Sequence, residues 1–362
     1  MDIEALRVLD EKKMYADLMS LPSHWREATR IGEEAELPAE LQGAQRIVWA
    51  GMGGSAIGGD LLNAVAGAEL SIPFTVSRDY LLPPFVDDQT LVIAASYSGN
   101  TEETLSAVED ALERDARVLC LTTGGELLRL CRNEGIAHII IPGGLQPRCG
   151  VIFLSVPVLI ALARLGYCRW ETLAPGHQET GEVLEQLVEE LGAEESEALR
   201  LAELLVGRMP VIYGSVRLGS VLRRWQAQFN ENAKTFAHSH VFPEMNHNEI
   251  EGWLFPREVV RHGHVIFLHD REDHPRVRQR MELTAALLAE ELGSRRVSQV
   301  SSVGVSRMAR VFSLVVWGDF TSYYLALLNG VDPSPVLRIE RFKRRLAELS
   351  ARTGTSPNGL ID

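Results

Sequence analysis

The chain has little cysteine, and its cysteines follow no recognisable pattern. Cys120, Cys131, Cys149 and Cys168 are the only four in 362 residues, and no two of them form a C-x-x-C pair. A small disulfide-stapled fold and a cysteine-rich zinc module are therefore excluded. Unpatterned cysteine fits a reducing compartment, so we expect a cytoplasmic protein.

An excess of positive charge is also lacking. The chain has 36 Lys and Arg against 49 Asp and Glu, which gives a formal net charge of −13 at pH 7. No stretch resembles a basic tail, and nucleic acid is not an expected partner. An anionic ligand must then be bound by local donors instead of a general positive field.

Long hydrophobic runs are absent as well. The longest apolar stretch that we identify, residues 151–163, contains Pro157 and stops at Arg164. It is too short to cross a bilayer and predicts a buried helix, so no membrane partner is expected. The acidic start of the chain is unlike a secretory signal.

Short β-branched runs alternate with helical stretches through the first half of the chain. This alternation predicts an α/β fold with a parallel sheet that helices cover on both faces. Helices are expected to begin near Ser55, Asn100, Glu126 and Gly150. The predicted strands lie near 46–50, 72–77, 90–95, 116–121 and 137–142.

The second half weakly repeats this arrangement. Residues 210–215 predict a strand that ends in a Gly-Ser turn and leads into a helix. Further strands are expected near 263–269 and 296–300, with helices over 274–293, 305–328 and 335–349, whereas 237–252 fits neither period. The predicted organisation is a helical segment (1–36), a first α/β domain (37–172), a helical linker (173–208) and a second α/β domain with C-terminal helices (209–362).

Two turns rich in glycine and hydroxyl side chains, residues 51–55 and 96–101, each join a predicted strand to a predicted helix. Backbone N–H groups and the helix dipole make such a turn a site for anions. In the second turn, Asn100 and Glu103 have the spacing of a capping box. Two such turns on one sheet indicate a phosphorylated small molecule.

The first turn has an alternative interpretation. Gly51-x-Gly53-x-x-Ala56 matches a dinucleotide fingerprint, and Asp79 follows the next predicted strand, where a ribose-binding acid is expected. The second turn argues against NAD, because a dinucleotide site has no need of it.

Taken in order along the chain, several motifs resemble those of sugar isomerase (SIS) domains. The likeness is greatest to the bifunctional phosphoglucose/phosphomannose isomerases. The motifs that carry it are residues 51–60, 96–104, 146–148, 230–234, 243–249, 322–326 and 331–333.

This resemblance implies two SIS-type domains and an aldose–ketose isomerase that acts on glucose 6-phosphate, and on mannose 6-phosphate, through a cis-enediol. It implies no cofactor and no metal. It further implies a homodimer in which a histidine reaches the substrate of the neighbouring subunit. A non-catalytic phosphosugar-binding regulator remains the alternative, since SIS domains also serve in regulators.

The site residues implied by the resemblance have less specific local signals. By pattern alone, Arg148, in the loop after the fifth predicted strand, fits either a ligand-binding arginine at the sheet edge or a surface arginine. Glu231 fits a solvated carboxylate beyond an apolar helical stripe, and Lys343 a solvated cation. The resemblance makes Glu231 the base, His247 the ring-opening group supplied in trans, Arg148 the cation for the enediol, and Lys343 a secondary catalytic group. The expected substrate-binding residues are Gly53, Gly54, Ser55, Ser96, Ser98 and Thr101.

A metal interpretation of the histidines is weaker. His238-x-His240-x-x-x-Glu244 has the core spacing of a cupin motif, but cupins are all-β barrels and this segment lies in an α/β chain. We therefore expect no metal at these residues.

Overall fold

A computed structural model describes residues 3–353. The chain divides into two compact units, each built from two separate stretches of sequence. Residues 23–173 and 335–353 form one, which we call the five-stranded unit. The four-stranded unit consists of residues 3–22 and 174–334. The last helix thus groups with the five-stranded unit, although the predicted boundaries put it in the second domain.

Both units are built from parallel strands and the helices that follow them. The strands are β1 (Arg46–Ala50), β2 (Phe74–Ser77), β3 (Thr90–Ser96), β4 (Arg117–Thr122), β5 (Ala137–Ile140), β6 (Met209–Ser215), β7 (His238–Phe242), β8 (Gly263–His269) and β9 (Val297–Ser301). The helices are α1 (Ile3–Leu6), α2 (Met14–Met19), α3 (Leu21–Glu34), α4 (Gly53–Ala66), α5 (Glu102–Glu113), α6 (Gly125–Glu134), α7 (Val156–Arg164), α8 (Trp170–Gly192), α9 (Glu197–Leu205), α10 (Gly219–Glu231), α11 (Arg257–His262), α12 (Pro275–Leu292), α13 (Arg307–Leu328) and α14 (Leu337–Thr353). Short 3₁₀ segments lie at Arg7–Leu9, Ala39–Leu41, Val216–Leu218, Glu244–His247, Glu249–Leu254 and Ser294–Arg296.

The five-stranded sheet has the order β2-β1-β3-β4-β5, with all neighbours parallel. Its central strand β3 is buried along its whole length, which explains the unbroken apolar run of its sequence. Ile47 of β1 pairs with Leu91 of β3. The carboxyl ends of β1 and β3 therefore lie side by side, and each of them leads into one of the two glycine- and hydroxyl-rich turns.

The four-stranded sheet has the order β7-β6-β8-β9 and is also parallel. This is the order of the first four strands of the other sheet, so the weak internal repeat in the sequence corresponds to a repeated topology. The helix after β6, α10, buries the stripe Leu218, Val221, Leu222, Trp225 and Phe229, as its period predicts.

Strand β7 was not predicted. It is an edge strand that pairs only with β6 among the described residues, and most of its side chains are partly exposed. An edge strand with little buried surface does not need an apolar face, which is why residues 237–252 fit no period. A second difference is α7, which begins at Val156 instead of near Gly150; Pro157 then lies in its first turn, a favourable place for proline.

Helix α13 is the longest apolar helix of the four-stranded unit. By length and composition it could cross a membrane, and 89% of its most apolar window is buried within the protein. Its Asp319 is paired with Arg224 of α10 at 2.7 Å. The N-terminal helices pack on it too: the ring of Tyr15 lies 5.8 Å from Tyr323 and 6.5 Å from Phe320.

Candidate active site

The first turn, residues 51–55, follows β1 and opens α4. Gly53, the first helical residue, has φ +50°, a conformation that favours glycine. The indole N–H of Trp49 donates to the carbonyl of Ser55 at 2.9 Å and holds the helix start against the strand. The first backbone N–H groups of a helix have no intrahelical acceptor, so this turn can accept an anion.

The second turn, residues 96–101, follows β3 and precedes α5. The hydroxyl oxygens of Ser96 and Thr101 are 2.8 Å apart, and Ser96 Oγ also accepts from the Gly99 N–H at 3.1 Å. Gly99 has φ +70°, and a Cβ there would lie 1.8 Å from the carbonyl oxygen of Gly124. The exposed Ser98 accepts from the Asn100 N–H at 3.2 Å. The turn is thus a compact group of hydroxyls around a position that only glycine fits.

Asn100 does not form the predicted capping box. The residue before α5 is Thr101, and it makes no side-chain capping bond. Asn100 Oδ1 instead accepts from the Glu126 N–H at 3.0 Å, in the first turn of α6. The capping side chain therefore serves the helix after the next strand, a partner that local spacing does not reveal.

The two turns are bonded to each other. The Tyr97 N–H donates to Ser55 Oγ at 3.1 Å, which leaves the hydroxyl hydrogen of Ser55 for another acceptor. Tyr97 also fixes the loop beyond β5, because its Oη accepts from the Leu145 N–H at 3.1 Å and donates to the Pro142 carbonyl at 3.0 Å. One tyrosine thus links both turns to the loop that carries Arg148.

Arg148 lies against the first turn. A Cβ on Gly54 would be 3.3 Å from the Pro147 carbonyl oxygen and 3.6 Å from the Cα of Arg148. The arginine is 4% exposed, in contrast to the surface arginine that its sequence pattern suggests. A buried arginine whose backbone lies against the first turn is suited to hold an anionic ligand.

The predicted base is carried by the four-stranded unit. Glu231 is the last residue of α10 and is partly exposed. Its surroundings are fixed by its neighbours: Asn232 Nδ2 donates to the buried Ser322 Oγ at 3.0 Å, and Lys234 Nζ donates to the carbonyls of Glu231 and Pro333. A rigid helix end therefore positions this carboxylate.

The other two predicted catalytic groups are exposed. His247 ends the 3₁₀ turn after β7, and Lys343 lies on α14. The structure therefore brings the two turns and the loop of Arg148 together in the five-stranded unit. It has Glu231 and His247 on the four-stranded unit.

The histidines of β7 meet a carboxylate that the sequence analysis missed. His240 Nδ1 and His238 Nε2 lie 2.6 and 3.0 Å from Glu249 Oε2. Burial raises the pKa of Glu249, but hydrogen bonds from His238 and Tyr213 outweigh it and lower the pKa to about 2. The hydrogen bond to Glu249 raises the pKa of His238.

Glu244, the carboxylate of the cupin spacing, is not part of this cluster. Its Oε1 accepts from Asn248 Nδ2 at 3.1 Å. The cupin spacing therefore points to a glutamate that does not contact the histidines. The chain returns to β7 only after the 3₁₀ turn Glu244–His247, at Glu249.

The dinucleotide interpretation rested on Asp79. This aspartate is exposed beyond β2, and its Oδ1 accepts from the N–H of Tyr80 at 2.7 Å. Its geometry is that of a local turn.

The chain is similar to known proteins over most of its length. The family described as bacterial phospho-glucose isomerase C-terminal SIS domain matches residues 194–346. A bifunctional phosphoglucose/phosphomannose isomerase from Caldicellulosiruptor bescii is 40% identical over 341 residues, covering 93% of this chain and 99% of the relative. The chain belongs to the bifunctional phosphoglucose/phosphomannose isomerase family.

Other members and one solved structure agree with this membership. The family member from Thermoplasma acidophilum is 38% identical over 303 residues, which are 83% of this chain and 89% of the relative. A hypothetical protein from Thermus thermophilus has the same fold, with a TM-score of 0.70, 21% identity and coverage of 96% of this chain and 94% of that one. The predicted fold class, α/β with two SIS-type domains, is confirmed, and so is the prediction of an isomerase.

Proposed function

We propose that this member of the family interconverts glucose 6-phosphate and mannose 6-phosphate with fructose 6-phosphate through a cis-enediol. The observation that carries the proposal is the pair of bonded turns with a buried arginine, in a chain that aligns over nearly its whole length with a bifunctional phosphoglucose/phosphomannose isomerase. A sugar phosphate matches the neutral donors and the helix N-terminus of this site.

The phosphate is bound by the two turns. Backbone N–H groups of Gly53 and Gly54 face it from the start of α4, where the helix dipole favours negative charge. The oxygen of Ser55 accepts from the Tyr97 N–H, and its hydroxyl hydrogen donates to the phosphate. Ser96 and Thr101 share one hydrogen bond, so one of their two hydroxyl hydrogens remains for the phosphate, and Ser98 supplies another donor.

The proton transfers require groups on the sugar end of the substrate. Glu231 takes the proton from C2 and returns it at C1, as a carboxylate at a rigid helix end can do. His247, with Lys343, moves the proton that opens the ring. Arg148 stabilises the charge that develops on the enediol oxygens, because a fixed, buried cation costs no reorganisation when that charge appears.

Activity on both aldoses follows from the intermediate. Glucose and mannose 6-phosphates differ only at C2, and this stereocentre disappears in the planar enediol. One base can therefore act on both sugars if the C2–C3 bond rotates within the site.

The isomerisation needs neither a metal nor a cofactor in this proposal. A carboxylate base, a proton-transferring histidine and an arginine supply the complete acid–base chemistry. A cytoplasmic location belongs to the same proposal, and the four buried free thiols support it.

A homodimer in which His247 acts on the partner's substrate is also proposed. His247 is exposed on a short turn, as a side chain that reaches another subunit must be. Helix α14 supports association too, because Ile339, Phe342 and Leu349 expose apolar surface along one of its faces.

The test is a coupled assay of purified protein with each hexose phosphate, run with and without a chelator. In Glu231→Gln, kcat should fall about 10²–10⁴-fold, the usual contribution of a general base. Affinity for a linear six-carbon sugar-acid phosphate should be retained. Glu203→Gln, an exposed carboxylate on α9, is the matched control and should leave both quantities unchanged.

Three results would contradict parts of the proposal. Equal loss of turnover and binding in Glu231→Gln means that its role is misassigned. Loss of the wild-type rate in chelator, restored by zinc, means that the reaction needs a metal. Binding without turnover in the wild type favours a phosphosugar-binding regulator.

In the same assay, mixing inactive Glu231→Gln and His247→Ala proteins should restore partial activity once subunits exchange. No recovery despite exchange argues against a histidine in trans.

A further inference from the structure

We propose that His238, His240 and Glu249 form a binding site for a divalent transition metal, with Zn²⁺ as its best-suited ion. The site is separate from the residues that bind and isomerise the sugar. It rests on the geometry of this cluster and not on the proposed function.

The three ligand groups converge from two elements. His238 and His240 are two residues apart on β7, so their side chains point to the same side of the strand. Glu249 begins the 3₁₀ segment Glu249–Leu254 and faces them. One ligand atom from each residue can be chosen so that all three lie within 4.8 Å of one another.

The carboxylate of Glu249 is oriented by buried partners. Tyr213 is completely buried, and its Oη donates to Glu249 Oε1 at 2.5 Å. Trp253 Nε1 donates in turn to Tyr213 Oη at 2.9 Å. Outer partners of this kind fix the direction of a metal ligand and are a regular part of metal sites. Oε2 of Glu249 lies near both imidazoles, and Oε1 lies 3.1 Å from His238 Nε2 as well.

The donor set selects the ion. Two imidazole nitrogens and one carboxylate oxygen match the three protein ligands of known zinc sites with an open fourth position. His238 is about half exposed, with 47% of its side chain accessible, so an ion can enter and a water can complete the coordination. A tetrahedral ion holds its ligand atoms about 3.3 Å apart, so the closest pair, now at 2.6 Å, must separate by less than about 1 Å.

A bound ion would cross-link β7 to the segment that follows His247. The closed loop consists of residues 241–248 and includes the 3₁₀ turn that carries His247. The same three side chains hydrogen-bond directly without an ion, so the loop keeps its path and the isomerase rate does not require the metal. The ion adds stability to the folded state in proportion to its occupancy.

The full chain, treated with chelator and dialysed, is titrated with Zn²⁺ by calorimetry and with Co²⁺ by absorption spectroscopy. We expect one saturable site per chain and a melting temperature that rises with Zn²⁺. His238→Ala and His240→Ala should each weaken Zn²⁺ binding more than about 100-fold, beyond the range for loss of an outer partner. Tyr213→Phe, which removes only the outer partner, should weaken it about 10–100-fold.

Two variants separate ligand loss from general damage. His262→Ala removes an exposed histidine from α11 of the same unit and should leave the affinity within about twofold of the wild type. Glu249→Gln keeps the shape and the acceptor for Tyr213 but loses the charge, so it should weaken Zn²⁺ binding; its melting temperature in chelator is recorded to confirm that the protein stays folded at the titration temperature.

The proposal is overturned if the wild type has no saturable Zn²⁺ site, or if both histidine variants bind Zn²⁺ as tightly as the wild type. The cluster is then a hydrogen-bonded ion pair only. Turnover of both hexose phosphates is followed in the same samples, and a protein without isomerase activity leaves the metal result unchanged.

Discussion

The two sheets share a strand order but differ in the residues at the carboxyl ends of their strands. In the five-stranded unit, β1 and β3 lead into turns of glycine, serine and threonine. In the four-stranded unit, β6 leads into a 3₁₀ turn that contains Arg217, and β8 leads into Asp270. The same framework thus has neutral donors after β1 and β3 and charged groups after β6 and β8.

Charged groups at this edge of the four-stranded unit pair with one another. Arg310 of α13 is 1% exposed; its Nε lies 2.8 Å from Asp270 Oδ2, and its Nη2 lies 2.6 Å from Glu272. Ser302, just beyond β9, donates to the same oxygen of Asp270 at 3.0 Å. The guanidinium of Arg310 thus pairs with the residue that follows β8. At the end of the equivalent strand β3, the hydroxyls of Ser96 and Thr101 share one hydrogen bond, so one hydroxyl hydrogen can still be donated.

This difference teaches that topology alone does not make a ligand site. A strand–turn–helix unit can bind phosphate where small residues leave N–H and O–H groups without an acceptor in the protein. It becomes a structural element where the chain supplies both charges of an ion pair. Substitutions at equivalent strand ends should therefore affect different properties of the protein.

The largest expected effect is on stability, at the charged edge. Asp270→Ala leaves Arg310 buried with one partner removed, which should lower the free energy of unfolding by about 3–5 kcal/mol. Chemical denaturation of the two proteins measures it. Glu258→Ala, in the exposed pair with Arg261, is the control and should cost less than about 1 kcal/mol. A similar small loss for Asp270→Ala would mean that the edge is not held by its ion pair.

An intermediate effect is expected on substrate affinity, and only at the neutral edge. Ser55→Ala removes the proposed hydroxyl donor to the phosphate, and hydrogen bonds to charged groups contribute about 1.5–3 kcal/mol, so KM should rise about 10-fold or more. Ser215, at the equivalent end of β6, is buried, and its Oγ has no hydrogen-bond partner among residues 3–353. Ser215→Ala should leave KM unchanged. Steady-state kinetics with fructose 6-phosphate measures KM for both variants. An equal rise in KM for Ser55→Ala and Ser215→Ala would contradict a functional difference between the two strand ends.

The effect that is smallest at neutral pH is an acid sensitivity that originates in the four-stranded sheet. Burial, with help from Arg296 and Arg208, lowers the pKa of His264 on β8 to about 4. Between this value and its unfolded pKa near 6.5, the unfolded chain binds more protons, so stability falls as pH falls, by at most about 1.4 kcal/mol per pH unit. Melting curves from pH 7 to 4 should show a shallower decline for His264→Gln.

Ser298→Ala is the control for this pH dependence. Ser298 Oγ lies 2.8 Å from His264 Nε2, and its loss should lower stability at every pH without changing the slope. Identical slopes in His264→Gln and the wild type would assign the acid sensitivity to other groups.

Much of the fold was predictable because its strands and helices have local patterns of apolar residues. The buried runs of β1 and β3 and the apolar stripe of α10 have periods that a single stretch of sequence reveals. The two turns were predicted for the same reason, since a glycine–hydroxyl segment between a strand and a helix is a local signal. The ligand of these turns, and the roles of Glu231, His247 and Lys343, remain predictions.

The features that were missed depend on contacts distant in sequence. Asn100 has the correct spacing to cap its own helix but bonds to Glu126. Arg148 has the pattern of a surface residue and is buried because Gly54 and Tyr97 hold its loop inward. Glu249 meets two histidines only because β7 exists, and an edge strand with polar side chains leaves no periodic signal.

The packing of the N-terminal helices on α13 has a consequence for biosynthesis. Ile3, Met14 and Leu18 are buried residues of α1 and α2, and these helices pack on α13, which is synthesised much later. Contacts so far apart in sequence form late, and the intervening strands have time to assemble first. The apolar side chains of α1 and α2 are therefore exposed to solvent during synthesis until α13 has been made.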